Sequence, residues 1–193
     1  PSIKSTDLHA CMDARVLSSL LMSGPQAPLY AAVVDAQLAP DFSPGAGFDS
    51  SSTTPVFSLG VQGVPPGEPV TKAVDAITKA LEETAVHGFP PARVEAVAHQ
   101  LELSVRHKRA NFGLHVLYNA AAAWTHGGAE CLPDALSARA SLDRLRREGA
   151  NPEFWKQLTR EWVLEPWANP SRCLTVLGEV NPNFAKDVAD AEA

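Results

Sequence analysis

Val16, Leu17, Leu20 and Leu21 recur at the three- and four-residue spacing that places side chains on one face of a helix. Ser5, Thr6 and Asp7 offer capping side chains before this run and Gly24-Pro25 stops it, which predicts a helix over residues 8–23. Pro28 opens a second helix through Leu29, Val33 and Val34, and Pro40 ends it. The period then changes. Residues 55–64 alternate, with Phe57, Leu59 and Val61 on one face and Ser58, Gly60 and Gln62 on the other, the pattern of a half-buried strand. Residues 42–48 are expected to pair with it, broken by Ser43-Pro44-Gly45 and Gly47, and Pro44 assigns that strand to an edge or a bulge. An edge strand leaves backbone donors and acceptors free.

Helical spacing returns at Val70, Val74, Ile77 and Leu81, closed by Gly88, and again after Pro90-Pro91 with Val94, Val97, Leu101 and Val105. Residues 112–126 are Ala-rich and apolar on most sides, which predicts a buried helix ended by Gly127-Gly128. Residues 132–148 and 152–163 read as two more helices, residues 172–180 as a strand through Leu174, Val176 and Val180, and residues 184–193 as an acidic helix. The order predicts an α+β domain with helices layered on an antiparallel sheet. Two or three strands make a small sheet for so many helices, and one more strand ahead of Pro1 is expected to complete it.

Composition changes this picture little. The 193 residues are 45% hydrophobic and 20% charged, a globular balance, and no apolar run reaches the length of a membrane span. A net charge of -6 argues against nucleic acid as a partner. The one basic cluster, Arg139, Arg144, Arg146 and Arg147, reads as a solvated helix face beside Asp143 and Glu148. Cys11, Cys131 and Cys173 are odd in number and form no CxxC pair, so reduced thiols in an intracellular or organellar protein are expected. The polar first seven residues lack a signal-peptide core, and the absence of an initiator Met puts the expected start of the gene product elsewhere.

Candidate chemistry is sparse. Glu95, His99 and Glu102 share one helix face, and His99-x-x-Glu102-Leu103 is one residue from the H-x-x-E-H zinc motif. Leu103 stands where a second imidazole would be needed, and a catalytic zinc takes about three protein ligands plus water. The residues themselves read better as a helix surface with a Glu95–His99 pair. His107 sits in a charged helix end, and His115 and His126 flank an apolar helix without a nameable partner. No nucleophile elbow or phosphate-cradling glycine loop occurs. Trp124, Trp155, Trp162 and Trp167 read as packing anchors.

Several strings are more particular. Val16-Leu17-Ser18-Ser19-Leu20-Leu21-Met22-Ser23-Gly24-Pro25 with Pro28-Leu29-Tyr30, then Asp41-Phe42-Ser43-Pro44 with Gly47-Phe48 and residues 56–64, resemble in order the opening of a pitrilysin-like domain. Gly88-Phe89, Arg93-Val94-Glu95-Ala96, His99-Gln100-Leu101-Glu102, Phe112-Gly113-Leu114, Trp124-Thr125-His126-Gly127-Gly128 and residues 174–182 continue the likeness. The chain resembles the pitrilysin (inverzincin) zinc metallopeptidases, in their presequence-protease and falcilysin branch.

That resemblance implies a pitrilysin-type, LuxS/metallohydrolase-like fold, with residues 1–182 as a second, non-catalytic domain lacking its opening strand and residues 183–193 as the start of a linker between halves. It implies zinc bound outside this chain and no metal or catalytic residue within it. The partners implied are unfolded, presequence-like peptides and the remaining domains of the parent enzyme, with no nucleic acid and no membrane. It implies a soluble protein of mitochondria or another organelle. The positions matching a substrate-binding turn and edge strand in the wider family are Gly24, Pro25, Ser43, Pro44 and Gly45. The turn departs from the insulin-degrading relatives, which carry a different glycine-containing string at Gly24-Pro25. Two other readings stand beside this one: an inactive, peptidase-like structural subunit of a larger complex, and an independent metal site at His99 and Glu102.

Overall fold

The computed structural model describes residues 3–65, 70–107, 110–137, 139–178 and 183–192. Helix α1, Leu8–Met22, begins where the Asp7 carboxylate accepts the Ala10 N–H at 2.9 Å. It ends where Ser23 turns extended and donates its N–H back to the Ser19 carbonyl. Helix α2, Pro28–Tyr30, has Pro at its first position and continues through a π-helical turn, Ala31–Asp35. The chain then forms one interrupted hairpin: β1 (Asp41–Phe42), β2 (Gly47–Asp49), β3 (Val56–Ser58) and β4 (Val61–Gln62). β1 pairs with β4 and β2 with β3, both antiparallel, so each strand has one neighbour among the described residues.

Helices α3 (Val70–His87) and α4 (Pro91–Arg106) follow, separated by Gly88, and then α5 (Phe112–Gly127). After a short 3-10 turn (Ala129–Cys131), α6 (Leu132–Ala135) and α7 (Arg139–Glu148) occupy the stretch expected as one helix. Asn151 caps α8 (Pro152–Leu158), which runs on through a π-helical turn, Thr159–Leu164, into α9 (Glu165–Trp167). Phe184–Glu192 is α10.

α1 is the hub. Leu17, Leu20 and Leu21 are wholly buried, and the core around them takes Leu29, Val33, Ile77, Leu81, Val97, Leu145, Trp155 and Val163 from the surrounding helices and Phe89 from the connection between α3 and α4. Each fully buried Leu of this kind contributes roughly 1.5–3 kcal/mol. The hairpin lies against α1 through β2. At Gly47, where φ is +129°, a conformation that favours glycine, a Cβ would stand 3.2 Å from the Ser18 hydroxyl, so the strand packs closely on the helix. Trp155 is 1% exposed with its indole N–H donated to Gly149, and Trp167 donates to the Thr78 hydroxyl.

Three expectations need correction. Helix α5 is not buried: Leu114, Leu117, Tyr118 and Trp124 form an exposed stripe, with Leu117 63% and Trp124 60% accessible. Its main contacts are with the short segment that follows it, while His126 reaches across to the Thr53 hydroxyl and the Ser51 carbonyl. Trp124 is therefore no packing anchor among the described residues. Residues 173–178 carry no regular structure, and Leu174 and Val176 are 88% and 82% exposed. A strand needs a hydrogen-bonded neighbour, and β-branched composition alone does not supply one; positions 179 and 180 of that expected strand lie outside the described residues. Nor are the arginines of α7 only a solvated face, because Arg144 and Arg146 bind carboxylates on other helices.

Substituting Leu21→Ala should cost about 2–5 kcal/mol of unfolding free energy in urea, whereas Leu117→Ala on the exposed stripe should change it by less than about 0.5 kcal/mol. Equal losses would show that α5 is packed in solution.

Candidate functional site

An open cleft of about 380 Å³ lies where the end of α1 meets β1 and β4. Ser18, Met22 and Ser23 form the helical wall. Asp41, Phe42, Ser43, Pro44 and Ala46 form the other, with Gln62 across the ladder. The local geometry follows from register. Phe42 faces Val61 and Gly47 faces Ser58, so residues 43–46 stand opposite only residues 59–60. The surplus closes into a turn, with the Ala46 N–H donated to the Ser43 carbonyl at 3.0 Å and Gly45 at φ +79°. Pro followed by Gly with that φ is the sequence of a type II turn. The Ser43 N–H meanwhile keeps the ladder bond to the Gly60 carbonyl at 2.8 Å.

Of the five positions singled out in the sequence, Ser43 and Pro44 line this cleft. Gly45 is the exposed tip of the turn, and Gly24 (φ +79°) and Pro25 follow Ser23 on the exposed loop leaving α1. The edge is less free than expected. Ser43 and Gly60 face each other across the ladder, so by alternation the Phe42 N–H points to the outer edge. There the Asp41 carboxylate accepts it at 2.7 Å.

Sequence reasoning missed the helical wall and what holds it. The Arg93 guanidinium, on α4, is buried against the end of α1 and donates to the carbonyls of Ser19, Leu20 and Ser23 at 2.9–3.1 Å. Burial pulls its pKa down from the ordinary arginine value. A signal was present: a cation in a helix's first turn opposes that helix's own dipole.

The other titratable clusters are structural. Glu102 is buried and paired with Arg146 of α7, while Glu95 and His99 are exposed, so the face they share brings no ligand set together. Among the described residues no three His, Cys, Asp or Glu side chains converge on a point. The described residues do not fit a zinc ion. Asp13, buried on α1, is paired with Arg144, which also bonds Glu148 at 2.6 Å and the His9 carbonyl at 3.2 Å, and His9 is hydrogen-bonded to Ser141 at 2.9 Å. Burial pushes the Asp13 carboxyl up, against the hydrogen bond and charge of Arg144. For Arg144 burial acts downward, but Asp13 and Glu148 outweigh it and hold the guanidinium above its ordinary value. The three cysteines are free thiols; Cys11 is buried, which raises its pKa and makes it a poor nucleophile.

Residues 2–101 match the family described as the peptidase M16 inactive domain. The chain belongs to that family. It is also similar to proteins named mitochondrial presequence protease: 31% identical to that of Aspergillus fumigatus and 33% to that of Emericella nidulans, each over 97% of this chain. The Xenopus tropicalis protein of the same name is 34% identical over 81% of it. The chain spans only 17%, 17% and 15% of the length of these three relatives. The match to an inactive peptidase domain agrees with the resemblance carried by the motifs. No described helix is long and apolar enough to cross a membrane.

Because Asp13 binds its proton more tightly folded than unfolded, its contribution to stability is complete below the unfolded value and is lost as pH rises through the folded one. Urea midpoints of the wild type should therefore fall relative to those of Asp13→Asn as pH is raised from the ordinary 3.8 through that window. A rising difference would show the ion pair outweighing burial.

Proposed function

We propose that this chain is the second, non-catalytic, pitrilysin-type domain of a mitochondrial zinc metalloendopeptidase that degrades short unfolded, presequence-like peptides. Residues 1–182 form the domain and residues 183–193 begin the linker to the other half of the enzyme. The domain walls the peptide chamber and holds extended substrate; the zinc and the residues that activate water are contributed by other parts of the parent protein. Membership in the inactive-domain family and similarity to presequence proteases support this reading.

The observation that carries the substrate-holding role is the cleft. It sets a helix end and a bulged edge strand side by side, with polar groups of Ser18, Ser23, Ser43 and Gln62 between apolar surfaces of Met22, Phe42 and Pro44. Extended peptides are captured at such edges by backbone hydrogen bonds, and alternate side chains select among them. An entering carbonyl takes the Phe42 N–H from Asp41, exchanging one hydrogen bond for another. Gly24, Pro25 and Gly45 shape the loops at either side.

Kinetics of the full-length protein test the assignment. Gly45→Trp should raise the ratio of KM for long peptides to KM for short ones by about threefold to tenfold, the scale of one lost hydrogen-bonded contact. Gly45→Ala controls for the strain any L side chain meets at φ +79°. A ratio unchanged by Trp, or changed equally by Ala, removes Gly45 from the substrate path.

A further inference from the structure

We propose that Arg93 is a positioning residue for the peptide-holding cleft, fixing the helical wall by clamping the last turn of α1. The inference rests on the reading of that cleft as a substrate site. Arg93 is the third residue of α4, where its charge is unfavourable to its own helix. The side chain leaves α4 and crosses to the opposite pole, the carbonyl end of α1, where a cation is favoured. Its Nε donates to Leu20 at 3.1 Å, and Nη2 donates to Ser19 at 3.1 Å, Leu20 at 2.9 Å and Ser23 at 2.9 Å.

The Leu20 carbonyl is among those a helix leaves without intrahelical partners at its end, while the Ser19 carbonyl accepts from Arg93 in addition to the Ser23 N–H. These two belong to the last turn, and the third, that of Ser23, leads into Gly24. One planar group therefore ties the helix end to the first residue beyond it. Ser23 and Met22 are cleft residues, and the opposite wall is held to the same helix by Gly47 against Ser18. Arg93 sets where the helical wall stops; the hairpin sets where the other begins. No carboxylate pairs with Arg93 among the described residues, so the carbonyls alone offset its burial. Lysine offers a point charge on a shorter side chain in place of a planar group, and it has no counterpart of the Nε–H that Leu20 accepts.

The test compares Arg93→Gln and Arg93→Lys in the full-length protein, each with its thermal midpoint, using peptides of about 10 and about 30 residues. A span of ~30 residues is long enough to reach beyond any single site even when partly coiled. Arg93→Gln should raise the ratio of long-peptide to short-peptide KM about tenfold, and Arg93→Lys about threefold, with kcat moving less than KM. A lowered midpoint with an unchanged ratio shows a packing role only and overturns the proposal. Should Arg93→Gln not fold, Arg93→Lys decides alone, and an unchanged ratio again overturns it. Ser43→Ala and Gly45→Trp separate the two layers: if they shift the ratio and the Arg93 variants do not, the clamp fails and the cleft stands. If none shifts it, the cleft itself is not a substrate site.

Discussion

The structure depends on burying α1 along most of its circumference. A helix that packs on one side needs a stripe; α1 has Val16, Leu17, Leu20, Leu21 and Met22 against a core fed by α2, α3, α4, α7 and α8. Its polar residues must then be met inside the protein, because so little of the helix reaches water. Asp13 and the carbonyl end of α1 are two such places, and an arginine from another helix answers each: Arg144 from α7 and Arg93 from α4. Apolar burial supplies most of the stabilisation, and the two guanidinium groups fix how α4 and α7 sit against the helix. Arg146 to Glu102 then ties α7 to α4 directly.

This arrangement explains why the charged residues misled at the sequence level. Arg139, Arg144, Arg146 and Arg147 recur on one short helix, and spacing alone cannot distinguish a solvated face from one that reaches other elements. Glu102 looked like half of a metal motif because the motif is defined by local spacing, whereas its partner lies 44 residues away on α7. Arg93 gave a local warning, a cation where a helix N-terminus prefers an anion, but its target on α1 is 70 or more residues distant in sequence.

What was legible was whatever local chemistry decides. α1, α3 and α4 begin and end near the expected caps and glycines, and the hairpin with its break at Pro44 followed from alternation and turn residues. Residues 112–126 and 172–178 failed in the same way. Both are apolar enough to be buried or paired, and hydrophobicity records a demand for a partner without showing that one is present. Leu117 and Leu174 stand exposed for that reason. At the cleft, the strand side was visible as a Pro-Gly interruption, while the helical wall was hidden because Ser18 and Met22 read as ordinary helix residues.

The edge at β1 poses a problem that every unpaired strand shares. An open row of backbone groups recruits other chains indiscriminately, and proteins blunt such edges with bulges, prolines and charges. All three occur here within five residues: Asp41, Pro44 and the turn that Gly45 completes. A full block would also exclude a peptide. In the substrate-holding role proposed for the cleft, the Asp41 carboxylate is a reversible guard, since it holds the Phe42 N–H by one bond that an incoming carbonyl can replace at little net cost. The Ser43–Gly60 bond beneath it keeps β1 on the hairpin while the outer bond changes hands. Under the proposed role, an edge built this way resists indiscriminate pairing and stays open to a chain that the helical wall of the cleft also fits.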